Sequence, residues 1–498
     1  MTKKLETAQG AAPAPENDAA YRRRLLVLAV CCLSLLMVGM DTSIVNVALS
    51  AIRTDLHASV SGLQWTVDGY TMVLASLLLL SGSTADRLGR RQVFLAGLVV
   101  FVLGSLLCSI APSLGWLVAF RMLQAVGGSM LNPVAMGIIT NVFTDAKERA
   151  FAIGVWGGTV GISIGLGPVI GGLLIQSVGW RGIFWINIPI GIAAIVLVAL
   201  FVPDSRALRP RRPDPLGQVL VIVLLASLTW GIIEAPQAGW ASATTLYRLA
   251  FSVVALVALL GWERRRDEPL VELRFFRSVP FAGATVMAVC AFGNYAGFLF
   301  LNTFYLQQVC GYSALKAGLC TAPLAIGSLF FAPVSGRIVG SRGPRIPLVG
   351  AGIAMAGGGL MLLHAAPGTP LLYVLASYLL FSIGFGLVNT PITNSAVSGM
   401  PRSQAGLASA FATTSRQIGA TLGVAVVGSL LNSGLGSRSV RAGFVSAEGR
   451  CWWIVAGCGA AIVVLGLVTS SAWAKGTAER VVLVEEQPAA RQAEAVAS

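Results

Sequence analysis

Uninterrupted apolar stretches, separated by short basic or Gly/Pro-bearing links, dominate the pattern of this chain. The runs 25–38, 93–110 and 188–202 hold no charged residue. Apolar positions follow one another directly, without the alternation of a membrane strand, so the runs read as helices. About 20 such residues span a bilayer, and lipid admits only helices or closed barrels. Segmenting at charges, Pro and Gly predicts fourteen helices: 25–49, 62–84, 92–111, 115–140, 150–175, 182–202, 216–235, 244–262, 279–306, 314–338, 346–365, 370–396, 404–432 and 451–474. The seventh and eighth contain Glu234 and Arg248.

The pattern also repeats. Gly82-Ser-Thr-Ala-Asp86-Arg87-Leu-Gly89-Arg90-Arg91 follows the second helix, and Gly336-Arg-Ile-Val-Gly340-Ser-Arg-Gly343-Pro-Arg345 follows the tenth. Gly82/Gly336, Gly89/Gly343 and Arg91/Arg345 match, while Gly340 replaces Asp86. Equivalent loops eight helices apart predict an all-α membrane protein of two six-helix bundles with an inserted helix pair. Repeated halves around a midplane site are the build of secondary transporters. The boundaries follow: 1–21 a disordered cytoplasmic tail, 22–203 the N-terminal bundle, 204–278 the inserted pair with flanking loops, 279–474 the C-terminal bundle, and 475–498 a cytoplasmic tail.

Composition agrees. Of 498 residues 55% are hydrophobic and 11% charged, too few charges to cover a water-facing surface of this size. The net charge of +14 does not point to nucleic acid, because the Lys and Arg lie scattered in short loops rather than on one basic face. With a cytoplasmic N-terminus, 26 of the 35 Lys and Arg fall on the inner side and 7 on the outer; Arg121 and Arg416 are intramembrane. The stretch 433–450 departs from the rule, being outer yet carrying three Arg and Glu448. Both termini are then cytoplasmic. Arg outnumbers Lys, and Ala, Gly and Val are abundant, which is typical of a GC-rich bacterial source and so of an inner membrane.

Arg22–Arg24 before an apolar run imitates a signal peptide, with Ala48-Leu49-Ser50 as its cleavage site. The run is too long for a signal core and contains Asp41 and Asn46, so it reads as a retained first helix. The eight Cys form no CxxC, and His57 and His364 lie apart from any Cys pair, so no metal site or disulfide framework is expected. No HExxH or P-loop appears, which argues against a membrane enzyme and against ATP-driven pumping by this chain. No catalytic residue, cofactor or nucleotide is expected.

The intramembrane polar residues are the candidates for function. Asp41 lies about 16 residues into the first helix, at a depth where an isolated charged carboxylate is costly, as suits a proton carrier. Its other reading is pinning the first helix against Arg121. Asp68 falls at a similar depth and either joins Asp41 and Arg121 in one titrating cluster or sits at the interface beside Trp65 and Tyr70. Asn46, Gln124, Asn294, Tyr295, Asn389 and Arg416 are candidates for substrate contact or packing. Arg416 in particular has no acid in any C-terminal helix and either bonds to helix carbonyls and amides or meets an anionic group on a substrate.

The ordered motifs resemble those of the fourteen-helix drug:proton antiporters of the major facilitator superfamily, from about Arg22 to Trp473. Met40-Asp41-Thr-Ser-Ile-Val-Asn46-Val-Ala-Leu49 is similar to that family's first-helix motif, with Ser50 where Pro is usual. The stretch 82–91 resembles the loop motif, and Arg121-Met-Leu-Gln124-Ala-Val-Gly127-Gly128 the fourth-helix motif, with Ala125 in place of Gly. Gly161-Ile-Ser-Ile-Gly165-Leu-Gly167-Pro168-Val-Ile-Gly171-Gly172 resembles the fifth-helix antiporter motif. Trp180-Arg-Gly-Ile-Phe-Trp-Ile-Asn187-Ile-Pro189 and Arg416-Gln-Ile-Gly419 also match.

The resemblance implies a gate built from Gly82, Asp86, Arg87, Gly89, Arg90 and Arg91, and close helix packing through the fifth-helix glycines. It implies proton-driven export of small amphipathic compounds such as antibiotics or biocides, by a monomer in the cell membrane. A dedicated exporter or proton-coupled importer of one metabolite is the alternative. With no acid between Glu272 and Glu448, and Phe292, Tyr295, Phe298 and Tyr305 as ring faces, the expected substrate is neutral or monocationic.

Overall fold

The computed structural model describes residues 18–206, 214–266, 269, 272–363, 365–398, 400, 405–436 and 438–481. Most of both expected tails, with His364 and Arg402, lies outside the described residues.

The helices are α1 Asp18–Asp55, α2 Val60–Leu88, α3 Arg90–Ser109, α4 Leu114–Val142, α5 Ala146–Val178 and α6 Gly182–Phe201, then α7 Pro215–Ala238 and α8 Ala243–Glu263. They continue as α9 Val279–Val309, α10 Ala314–Arg342, α11 Arg345–Met361, α12 Leu371–Ser398, α13 Ala405–Leu435 and α14 Val440–Thr469. Twelve are long and apolar enough to cross a bilayer; α11 and the Gly165–Val178 part of α5 are shorter apolar helices. Large apolar side chains turn outward where a soluble protein would show charge, as with Tyr247 at 71% and Leu372 at 79% exposure.

The helix ends follow local chemistry. Ser59 and Ser242 cap α2 and α8 by accepting from Gly62 N and Thr245 N. The repeated glycines Gly89 and Gly343 both terminate their helices at positive φ, 115° and 80°, donating to Ala85 O and Val339 O. Position for position, the two halves of the repeat stop their helices in the same way.

Three boundaries need correction. Helix α1 begins at Asp18, so part of the tail expected to be disordered is helical, and 472–481 is helical beyond α14. The stretch 433–450 is mostly helix rather than loop: α13 runs to Leu435 and α14 starts at Val440. Glu448 is thereby buried within α14, where it accepts from Trp452 Nε1 at 3.0 Å. The indole one turn away bonds one carboxylate oxygen locally, which lets the helix carry an acidic residue that ordinarily marks a loop.

Packing sorts the helices. Helix α1 packs on α5 and α6, while α2 and α3 pack on α4. Helix α9 packs on α13 and α14, α10 on α12, and α11 on α12 and α14. The two groups meet along α2–α13 and α5–α10. Helices α7 and α8 pack on each other, and α7 also touches both α2 and α13. Hydrogen bonds between the groups cluster at the end of the α1–α2 turn. Gln64 Nε2 donates to Ala425 O at 3.0 Å, Arg53 Nη1 to Gln308 Oε1 at 2.7 Å, and Gln307 Nε2 to Val47 O at 2.8 Å.

Candidate functional site

Four helices converge on Asp41. Its carboxylate, on α1, is wholly buried, and Arg121 of α4, equally buried, forms an ion pair with Oδ2 through Nη1. Gln124, one turn after Arg121, accepts from Arg121 Nη1 and donates to Asp41 Oδ1, both at 2.9 Å. Asn187, at the break within α6, donates to Asp41 Oδ1 at 2.9 Å and to Ser105 Oγ of α3 at 3.0 Å. The guanidinium lies 4.1 Å above the Tyr70 ring of α2, and Nε approaches Thr66 O at 3.5 Å. Burying two charges is tolerable only when donors and acceptors are satisfied in this way.

Asp68 joins neither Asp41 nor Arg121 by hydrogen bond or ion pair, so the expected three-residue cluster is a pair. It is fully buried. Among the described residues, neither of its oxygens has a hydrogen-bond partner. It lies on α2 between Gln64, which bonds to α13, and Thr71, whose hydroxyl meets that of Thr421 of α13 at 2.9 Å. An ionised carboxylate without a partner costs several kcal/mol in such a place, so this α2–α13 contact suits the neutral form.

The 82–91 loop is held within the first group of helices. Asp86 accepts from Arg90 Nε and Nη2 at 3.1 and 2.9 Å, and Arg90 Nη1 donates to Gly137 O of α4 at 3.1 Å. Arg91 donates to Ala199 O of α6, Arg87 is exposed, and Gly82 faces Pro133.

The glycines of α5 divide between two neighbours. A Cβ on Gly167 or Gly171 would strike Ser43 or Ile44 of α1, whereas one on Gly165 or Gly172 would strike Ala325 or Leu315 of α10. Small residues therefore let α5 lie close to α1 in its own group and to α10 in the other. Pro168 lies between these contacts, its carbonyl against Gly318 of α10. Gly161 is on the same helix, and its surroundings lie outside the described residues.

The second-group candidates separate likewise. Asn294 donates to Val455 O of α14 at 2.9 Å, a helix-pairing bond, whereas Asn46, on α1 of the first group, bonds back to Thr42 O at 3.2 Å. Tyr295 stacks on Phe385 of α12 with ring centroids 4.3 Å apart. Asn389 donates to Phe385 O and lends its own carbonyl to Arg416. The residues that sequence reasoning missed are Asn187, Ser105 and Tyr70 as partners of the ion pair. Asn187 did carry a signal, being a lone amide inside the apolar run 182–202; Ser105 carried none.

Residues 31–424 match the Major Facilitator Superfamily. The tetracenomycin C resistance and export protein of Streptomyces glaucescens is 37% identical over 438 residues, which cover 87% of this chain and 81% of that protein. The multidrug resistance protein Stp of Mycobacterium tuberculosis is 36% identical over 410 residues, 82% of this chain and 76% of that protein. Among solved structures, an inward-facing, occupied bacterial homologue of the human lysosomal transporter Spinster aligns with a TM-score of 0.65 at 18% identity, covering 92% of this chain and 97% of that one. That likeness concerns the fold. The chain is a multi-pass membrane transporter rather than an enzyme, and it belongs to the Major Facilitator Superfamily.

Proposed function

We propose that this chain exports small amphipathic compounds, antibiotics or biocides among them, in exchange for protons, as a monomer in a bacterial cell membrane. Relatives named for resistance and export support the direction of transport. The observation that carries proton coupling is the Asp41 carboxylate, buried and held by Arg121, Gln124 and Asn187 from two other helices.

In this reading all fourteen helices span the membrane. The span 22–203 forms one six-helix bundle, 279–474 the second, and 204–278 contributes the inserted pair. The even number of crossings leaves both termini in the cytoplasm, so the α1–α2 turn lies on the outer side. The inter-group hydrogen bonds at that turn then close the outer end. Protonation of Asp41 loosens its ties to α4 and α6, and the α5 glycines permit the groups to rock. Asp68 adds a second protonation site in the α2–α13 contact, and the Asp86–Arg90 pair steadies the opposite end.

Reconstitution into liposomes with an imposed pH gradient tests the reading. Wild type accumulates substrate uphill; Asp41→Asn retains binding and downhill counterflow and loses accumulation. Asn keeps an acceptor for Arg121, so destabilisation stays below about 3 kcal/mol. Uphill transport by a folded Asp41→Asn variant would exclude Asp41 as an obligatory proton carrier.

A further inference from the structure

Arg416 and Arg121 both lie mid-helix, and they differ in one respect. Arg121 is neutralised by Asp41, whereas Arg416 of α13 meets only neutral groups. Its Nη2 donates to Thr393 Oγ1 at 2.5 Å and approaches Asn389 O at 3.5 Å, both on α12. Its Nε is buried without a hydrogen-bond partner. Among the described residues no carboxylate lies within ion-pair distance of it, and the chain holds no acidic residue between Glu272 and Glu448. A guanidinium remains charged at any working pH, so the second group of helices carries one uncompensated cation in its interior.

What surrounds that cation is flat and aromatic. The guanidinium lies 5.6 Å from the Phe292 ring of α9; Phe292 packs edge-on against Phe385 at 5.2 Å, and Phe385 stacks on Tyr295. Arg416, Phe292, Tyr295, Asn389 and Thr393 all retain partial exposure inside the bundle. A buried ionic side chain in a membrane protein characteristically faces the bundle interior or a water-filled cavity rather than lipid.

These ring faces do not serve a cationic substrate. Arg416 already occupies the neighbourhood of Phe292, Tyr295 has a face on Phe385, and Phe298 has a face on Phe381 with centroids 4.0 Å apart. A second cation here would meet like charge with nothing to offset it. An acidic oxygen would instead supply the missing counter-charge and the missing acceptor for Nε, while a planar ring system adds to the aromatic slab.

We propose that Arg416, with Phe292, Tyr295 and Phe385, forms a subsite for planar aromatic substrates carrying an acidic oxygen: a carboxylate, phenolate or enolate. The subsite rests on the export reading and departs from the neutral or monocationic substrate expected from the sequence. Arg416 holds the acidic oxygen, Thr393 and Asn389 orient the guanidinium, and the slab receives the ring face.

The test uses three matched fluorescent probes, 9-anthracenecarboxylate, its methyl ester and 9-(aminomethyl)anthracene, titrated against the purified full-length protein in nanodiscs. Wild type should bind the carboxylate about tenfold more tightly than the ester, and the amine weakest of all. Arg416→Gln should erase the preference for the carboxylate while leaving ester affinity within about twofold; Arg416→Lys should keep part of it. Thermal unfolding checks that both variants are folded. The wild-type comparison decides the matter even if neither variant folds. Failure of wild type to prefer the carboxylate, or an unchanged preference in folded Arg416→Gln, overturns the subsite. A carboxylate preference without export of any probe from loaded cells would instead count against the export reading and leave the subsite standing.

Discussion

Thr71 of α2 and Thr421 of α13 share a hydroxyl–hydroxyl hydrogen bond of 2.9 Å, one turn from the partnerless carboxylate of Asp68. The proximity makes the pair a reporter of whether α2 and α13 are together. It also ties that contact to the protonation of Asp68.

No charged group bonds to Asp68 among the described residues: Arg121 pairs with Asp41, the Arg416 guanidinium reaches Thr393 of α12, and Glu234 of α7 accepts from Trp65 Nε1 at 3.2 Å. Only neutral Asp68 is accommodated, so the contact is favoured at low pH and lost as pH rises and the carboxylate ionises. Cross-linking of a Thr71→Cys/Thr421→Cys pair should therefore increase by about tenfold or more on acidification. Adding Asp68→Asn should make cross-linking high at every pH. A pH response that survives Asp68→Asn would place the titrating group elsewhere.

The α5 glycines should separate stability from transport. In Gly167→Ala the new methyl strikes Ser43 of α1 within one group, which should lower stability by about 1–3 kcal/mol in thermal or denaturant unfolding. In Gly172→Ala it meets Leu315 Cα at 2.6 Å and Ala314 O at 2.7 Å, backbone of α10 in the other group. That penalty falls on the closed α5–α10 contact, so transport rate should drop while unfolding stays near wild type. Equal loss of stability in both variants would show that α5 packs as one undivided unit.

Asp86→Asn removes a partly exposed ion pair one turn long, worth under about 1 kcal/mol. Expression and melting temperature should be preserved, and any effect should appear as slower substrate exchange. A large drop in melting temperature would mean that the pair supports the helix bundle itself.

Much of this was legible because lipid makes the code strict. Asp41 and Arg121 are conspicuous as charges inside apolar helices, and their union follows from mutual need. The matched glycines Gly89 and Gly343 were legible as a repeat, and their shared positive φ gives the repeat its physical basis. Asn187 joins the pair only because α6 breaks beside α1 and α3, a tertiary event that leaves little local trace. Glu448 was misleading for the opposite reason: a charge normally marks a membrane exit, but Trp452 bonds one of its oxygens within the helix. Asp68 and Arg416 were visible as intramembrane charges, but nothing along the chain shows that one lacks any partner and the other has only neutral ones.

Helix α7 is fastened along the α2–α13 line. Its Gln218 donates to Ser76 O and Gln237 to Ser61 Oγ at 2.7 Å, both on α2, while Ser429 of α13 donates to Ile232 O at 2.9 Å. On its far side lies α8, whose Leu246, Tyr247, Phe251, Val254 and Val257 turn outward. The pair acts as a shutter over one flank of the molecule. A lipophilic compound dissolved in the bilayer meets that flank already roofed over, while the α5–α10 flank carries no such added pair. In the proposed export reading, lateral capture from the membrane would therefore have a handedness, its way in running past the glycines of α5.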